Sequence, residues 1–174
     1  RPVIDGERAT AAASLNFEPY SYVPEKSVVA VARQANAPAA FKPGYVEISG
    51  LEIRNTIDKS YTDSAGQTQA YWSSGGGIYL RGAEHVTIRD CEIHHAFSGL
   101  IAESGSAEEL VNRDILIERC WFHDNAKSTS WAGWNLALEG VGMTVQFCRL
   151  DPNANRDKTA KALGLTIPRS ILFR

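Results

Sequence analysis

Long apolar runs are absent from this 174-residue chain: no stretch approaches eighteen consecutive apolar residues, so no segment reads as a membrane-spanning helix. A dominant charge is absent too. Eighteen Lys and Arg stand against 20 Asp and Glu, a formal net charge of −2, which gives no electrostatic case for nucleic acid or for an anionic membrane surface. Cysteine is scarce, and its odd count of three, without paired loop spacing, is not a disulfide framework. Helical signals are confined to residues 157–163, ending at Gly164, and to one short turn after Ser106. The chain opens at Arg1 with neither a methionine nor an apolar leader, and the expectation is that processing or truncation removed what came first. Ordinary apolar and charged fractions, 44% and 22%, describe one globular domain.

What is present is a repeat. HVTIRDCEIHH from His85 aligns with YVEISGLEIRN from Tyr45, DILIERCWFHD from Asp114 and GMTVQFCRLDP from Gly142, copies that start 40, 29 and 28 residues apart. Four apolar columns result: Val46, Val86, Ile115 and Met143; Ile48, Ile88, Ile117 and Val145; Leu51, Cys91, Cys120 and Cys148; Ile53, Ile93, Phe122 and Leu150. Within each copy apolar and polar residues alternate, a two-residue break shifts the phase, and alternation resumes. That pattern is two short strands joined by a tight bend. GIYL, GLIA and NLAL precede three of the copies and add a further strand, with Ile78, Leu100 and Leu136 in one column and Leu80, Ala102 and Leu138 in the next. Three strands per turn, none able to bury a face alone, close a core when the turns stack in parallel. The expected fold is therefore all-β, a parallel β-helix over residues 1–152 with an incomplete first turn. Residues 153–174 are expected to form a short helical tail or cap outside the repeat.

Insertions enter between copies. The longest, NTIDKSYTDSAGQTQAYWSSGG, carries Tyr61, Tyr71 and Trp72, and DNAKSTSWAGW brings Trp131 and Trp134. Both precede the first strand of a turn, so they enter one edge of the solenoid and would rim a shared groove. The three cysteines share an inward column and are expected to be free thiols in the core.

These units, PVIDG, YVEISGLEIRN, GGGIYLRGAEHVTIRDCEIHH and RDILIERCWFHDN, resemble the right-handed parallel β-helix proteins of the pectin-lyase-like superfamily. The resemblance implies a carbohydrate-directed activity, lyase-like or hydrolase-like, on acidic polysaccharide, in an exported protein, extracellular or periplasmic, and here expected to be a monomer. Calcium enters only through that resemblance, and the aspartate-rich calcium constellation of pectate lyases is not visible on these strands. The alternative is a non-catalytic structural or adhesive solenoid. KTAKALGLTIPRSIL, in the tail, resembles instead the carboxyl-terminal motif of ABC-type transporter substrate-binding proteins and implies a transporter-linked protein.

On the first strands alternation sends Tyr79, Ile101 and Ala137 outward, and two residues further on Arg81, Glu103 and Glu139. A carboxylate pair with an arginine suits proton transfer or the holding of a sugar acid, so these three are the candidate catalytic residues. Tyr79, Tyr71, Trp72, Trp131 and Trp134 are the candidate sugar platforms, with loop anchoring as their alternative use. Arg54, His94, His123 and Asp151 form a second outward column on the third strands. Its imidazoles could share an ion, yet they show no established ligand spacing, and no metal or cofactor is assigned.

Overall fold

The computed structural model describes residues 1–10, 27–34, 37–38, 40–63, 65–71, 75–125, 134–151 and 171–173. Its strands are β1 (Val3–Asp5), β2 (Ser27–Ala32), β3 (Gly44–Ser49), β4 (Glu52–Arg54), β5 (Ser60–Thr62), β6 (Thr68–Ala70), β7 (Gly76–Arg81), β8 (Glu84–Arg89), β9 (Glu92–His94), β10 (Leu100–Ala102), β11 (Arg113–Glu118), β12 (Trp121–His123), β13 (Leu136–Leu138), β14 (Thr144–Gln146), β15 (Arg149–Leu150) and β16 (Ile171–Phe173). Three parallel sheets form the solenoid. First strands give β2-β7-β10-β13-β16, second strands β3-β8-β11-β14, and third strands β1-β4-β9-β12-β15. Among the described residues the chain thus completes four turns, with β1 below as the third strand of another and β16 above as a further first strand. The long insertion adds an antiparallel hairpin, β5 with β6.

The registers reproduce the repeat columns. Val46 pairs with Val86 and Val86 with Ile115, while Ile48, Ile88, Ile117 and Val145 stack in line. Ile4, Ile53, Ile93, Phe122 and Leu150 form the third-strand stack. Val29, Ile78, Leu100 and Leu136 form that of the first strands. Ile53, Ile78, Ile88, Ile93, Leu100 and Leu136 are wholly buried, each contributing about 1.5–3 kcal/mol over an exposed side chain.

The bends come from single left-handed residues rather than from glycine-rich turns. Gly50, Asp90, Arg119 and Phe147 all have φ between 51° and 69° at the break between second and third strands. A second left-handed column, Tyr45, His85, Asp114 and Gly142, opens the second strands, and a third, Asn55, His95 and Asp124, follows the third strands. Asn, Asp and His tolerate this region best, and Tyr45 and Phe147 adopt it with rings 82% exposed, clear of the core. Gly99 answers a different need: a Cβ there would lie 2.6 Å from the Asn135 carbonyl oxygen and from the Phe122 ring, so a side chain would push the turns apart.

Buried amides close the corners. Asn112 accepts from the Ala83 amide and donates to the carbonyls of Glu103 and Glu139, tying three turns together. Asn125 accepts from the Ala96 amide and donates to the Ile93 carbonyl and to Asn135, which donates in turn to the Asp151 carbonyl. These amides give backbone groups at the bends partners that the strand ladders do not supply.

Two expectations change. The helical segment at 157–163 lies outside the described residues, but the end of the tail is not outside the repeat: Ile171, Leu172 and Phe173 pair in register with Leu136, Ala137 and Leu138. The apolar triplet satisfies the open edge of β13, which is reason enough for it to dock. Cys91 and Cys120 are buried, whereas Cys148 is only partly so, because the last turn is covered less completely than the two below it. Each thiol donates to the carbonyl two residues before it, Arg89, Glu118 and Gln146 at 3.2, 3.3 and 3.4 Å.

Two outcomes follow. With a thiol reagent on the native protein, Cys148 is expected to label first and Cys91 and Cys120 only on unfolding; equal fast labelling of all three would contradict the stack. Truncation after Ser170 exposes the β13 edge, and a lower melting temperature or concentration-dependent aggregation is expected, with unchanged behaviour the contrary result.

Candidate functional site

The first-strand column stands as the alternation requires, with Tyr79 opposite Ile101 and Ile101 opposite Ala137. The ladder continues through the Glu103 amide to the Leu80 carbonyl and the Glu139 amide to the Ala102 carbonyl, so Arg81, Glu103 and Glu139 lie on successive turns. Tyr79 and Arg81 are not a free surface. Tyr79 is fully buried and Arg81 is 3% exposed, although both project away from the aliphatic core. The Tyr79 hydroxyl donates to Glu103 Oε2 at 2.9 Å and the Arg81 guanidinium pairs with Glu103 Oε1 at 3.0 Å. Burial, with the Glu103 charge beside it, pushes the Tyr79 phenol far above its ordinary range. Glu103 and Glu139 remain half-exposed, and Glu139 accepts from the Ser104 amide at 3.3 Å. The expectation of an open arginine and tyrosine is thereby corrected: they brace Glu103 from beneath.

The expected sugar platforms are rearranged too. Trp134 and Tyr71 are buried, at 7% and 6% exposure. The Tyr71 hydroxyl donates to the Gly6 carbonyl at 2.8 Å, and its ring lies 5.1 Å from that of Tyr61, so these rings anchor the insertion. Trp72 and Trp131 lie outside the described residues. Beside Tyr71 opens a recess of about 480 Å³ lined by Glu7, Asp58, Lys59, Ser60, Tyr71 and Phe97, with Lys59 Nζ 2.9 Å from Glu7 Oε1. The residue pattern gave no sign of this recess, because η1 (Gly6–Arg8) and the hairpin meet only in the folded chain.

The third-strand sheet carries the other polar cluster. His94 and His123 pair in register, their rings 4.8 Å apart and 12° from parallel. His94 Nε2 lies 3.3 Å from Glu52 and Nδ1 2.6 Å from His95 Nδ1. Burial would raise the Glu52 carboxyl, but the His94 bond and the Arg54 charge outweigh it and hold the group below its usual value. Since a carboxylate only accepts, the neutral His94 ring carries its hydrogen on Nε2 and takes one from His95 at Nδ1. Burial, with His123 and His95 nearby, lowers the His94 pKa despite Glu52. Both ring nitrogens of His123 face carboxylates, Glu92 at 3.1 Å and Asp124 at 2.7 Å. Trp121 stacks on His123 at 3.9 Å, with the Arg149 guanidinium 4.6 Å from the Trp121 ring centre. Glu52 and Glu92 were not singled out from the sequence, although each stands two residues before a column member on a three-residue strand and so shares its face.

The model of the right-handed β-helix region matches residues 42–159. The chain belongs to that family. Neither a curated protein nor a solved structure matches it. In this β-helix the two polar clusters lie on different sheets, and the chemistry of each is local to its own turns.

The brace makes a measurable difference. Tyr79→Phe removes a buried donor from Glu103 and is expected to destabilise the fold by about 1–2 kcal/mol in urea unfolding; a neutral result would mean that the hydroxyl bond contributes nothing.

Proposed function

We propose that this β-helix binds a polysaccharide across its first-strand sheet and that Glu139, with Glu103 on the neighbouring turn, carries out proton transfer on it. The observation that carries the reading is this pair of half-exposed carboxylates on successive turns. Glu103 is bound on both oxygens, by Tyr79 and Arg81, and Glu139 accepts from the Ser104 amide at 3.3 Å. Two carboxyl groups in unlike surroundings are what acid–base chemistry on a glycosidic bond or a uronate requires, since one must hold a proton while the other accepts one. The recess beside Tyr71 supports the same substrate class: it is lined by Lys59, whose ammonium would meet a uronate carboxylate, and by Tyr71 and Phe97. Export to where such polymers occur completes the proposal.

A second reading is a non-catalytic solenoid that binds glycan or another surface. It is favoured by the density of internal ion pairs: Arg89 holds Glu47, Arg119 holds Asp90 and Glu118, and Arg54 holds Asp5 and Glu52. Such ladders stabilise a stack without offering chemistry.

The two readings part in one experiment. The protein is incubated with uronic-acid and neutral polysaccharides while unsaturated products and new reducing ends are followed. Glu139→Gln is expected to cut kcat by about a hundredfold or more with roughly unchanged KM. Binding without turnover would favour the non-catalytic solenoid, and neither binding nor turnover on any polysaccharide would remove the glycan reading altogether.

A further inference from the structure

The structure assigns a second site, independent of any glycan: we infer that Glu92, His94 and His123 bind a borderline divalent metal ion of the zinc class on the outer face of the third-strand sheet. Three features of the fold bring the donors together. Glu92 and His94 are two residues apart on β9 and therefore share a face. His123 stands directly across from His94 in the parallel register of β9 and β12. Both strands are stacked turns of one solenoid, so the backbone beneath the donors is rigid. One donor atom from each residue lies within 4.8 Å of the other two, and among the described residues this is the one such group of three.

Tetrahedral coordination at about 2.0–2.2 Å needs ligand atoms about 3.3 Å apart. His123 Nε2 and Glu92 Oε1 already stand at 3.1 Å, and the His94 donor, within 4.8 Å of both, would close in by side-chain rotation. The metal would take the place of the hydrogen between them and draw in Nε2 of the parallel His94 ring. Two imidazoles and one carboxylate form a donor set suited to zinc and its neighbours, and too poor in oxygen for calcium.

The surroundings fit the same ion. With Nε2 on the metal, Nδ1 of His123 donates to Asp124, 2.7 Å away, and Nδ1 of His94 meets His95 at 2.6 Å. Outer partners of this kind hold metal-bound imidazoles in place. Glu52, itself paired with Arg54, lies 3.3 Å from His94 Nε2. The histidine side chains are only 11% and 12% exposed and that of Glu92 24%, enough shelter to strengthen the bonds and enough opening for entry. Arg1 occupies the other oxygen of Glu92 at 2.9 Å, leaving Oε1 for coordination.

The test is calorimetric titration of the chelator-treated full chain with zinc, repeated with calcium, and cobalt loading read by visible absorption. One equivalent of zinc is expected to bind saturably and raise the melting temperature, calcium is expected not to bind, and cobalt is expected to give the intense bands of a tetrahedral site. His94→Ala, His123→Ala and Glu92→Gln should each weaken zinc by about tenfold or more, whereas His85→Ala, on another sheet, should leave it unchanged. Circular dichroism verifies that each variant is folded, and His94→Gln and His123→Gln stand in where an alanine variant is not. Absence of saturable zinc binding in the native chain would overturn the site. So would zinc binding of unchanged affinity in folded His94 and His123 variants, which would place the ion elsewhere, the cysteine column included.

Discussion

In-register pairing between turns is the interaction on which everything else in this protein rests. Strands of two to six residues cannot bury a face by themselves, and the three sheets exist only because each strand finds its equivalent one turn above and below. The pairing dictates the rest. It forces like residues into columns, so that Ile stacks on Ile and Cys on Cys, and it forces each bend to recur at the same height, which the left-handed residues at Asp90 and Arg119, or at His85 and Asp114, achieve with little glycine. It also strands backbone groups at the corners, and Asn112 and Asn125 exist to satisfy them.

The same stacking shapes function. A column on the outside of a solenoid repeats one chemical group at the spacing of parallel strands, about 4.8 Å, which is the distance at which two carboxylates or two imidazoles influence one another. Arg81, Glu103 and Glu139 form such a column, and so do Arg54, His94, His123 and Asp151. Their fates differ because their surroundings differ. Tyr79 and Arg81 are sealed in and fix Glu103, while the histidine pair stays partly open among Glu52, Glu92 and Asp124. Functional variety in this fold thus comes from what covers an outward column and what stands beside it, and fold alone does not name the chemistry.

Much of this was legible in the residues. Inward columns could be read directly, since alternation of period two with a fixed phase shift has one stacked solution, and Val46 over Val86 over Ile115 follows from it. The outward direction of Tyr79 and of His123 was equally legible. Their exposure was not, because whether an outward side chain meets water depends on segments distant in sequence. Tyr71 is a case in point: its anchoring bond goes to the Gly6 carbonyl, 65 residues away. Glu92 escaped notice for a related reason, since a lone acidic residue on a strand is ordinary until the neighbouring turn sets a histidine against it.

The sequence by itself determined the fold class, the number of strands per turn, the register of the stack and the identity of the core, because these follow from local periodicity repeated along the chain. Tertiary structure alone decided which outward residues are accessible, how each imidazole and carboxylate is partnered, and that Ile171–Phe173 returns to pair with β13 across more than thirty residues. The physical reason is the same in all three cases: burial and polar partnership are properties of surfaces in contact, and those surfaces are assembled only once the turns have closed on one another.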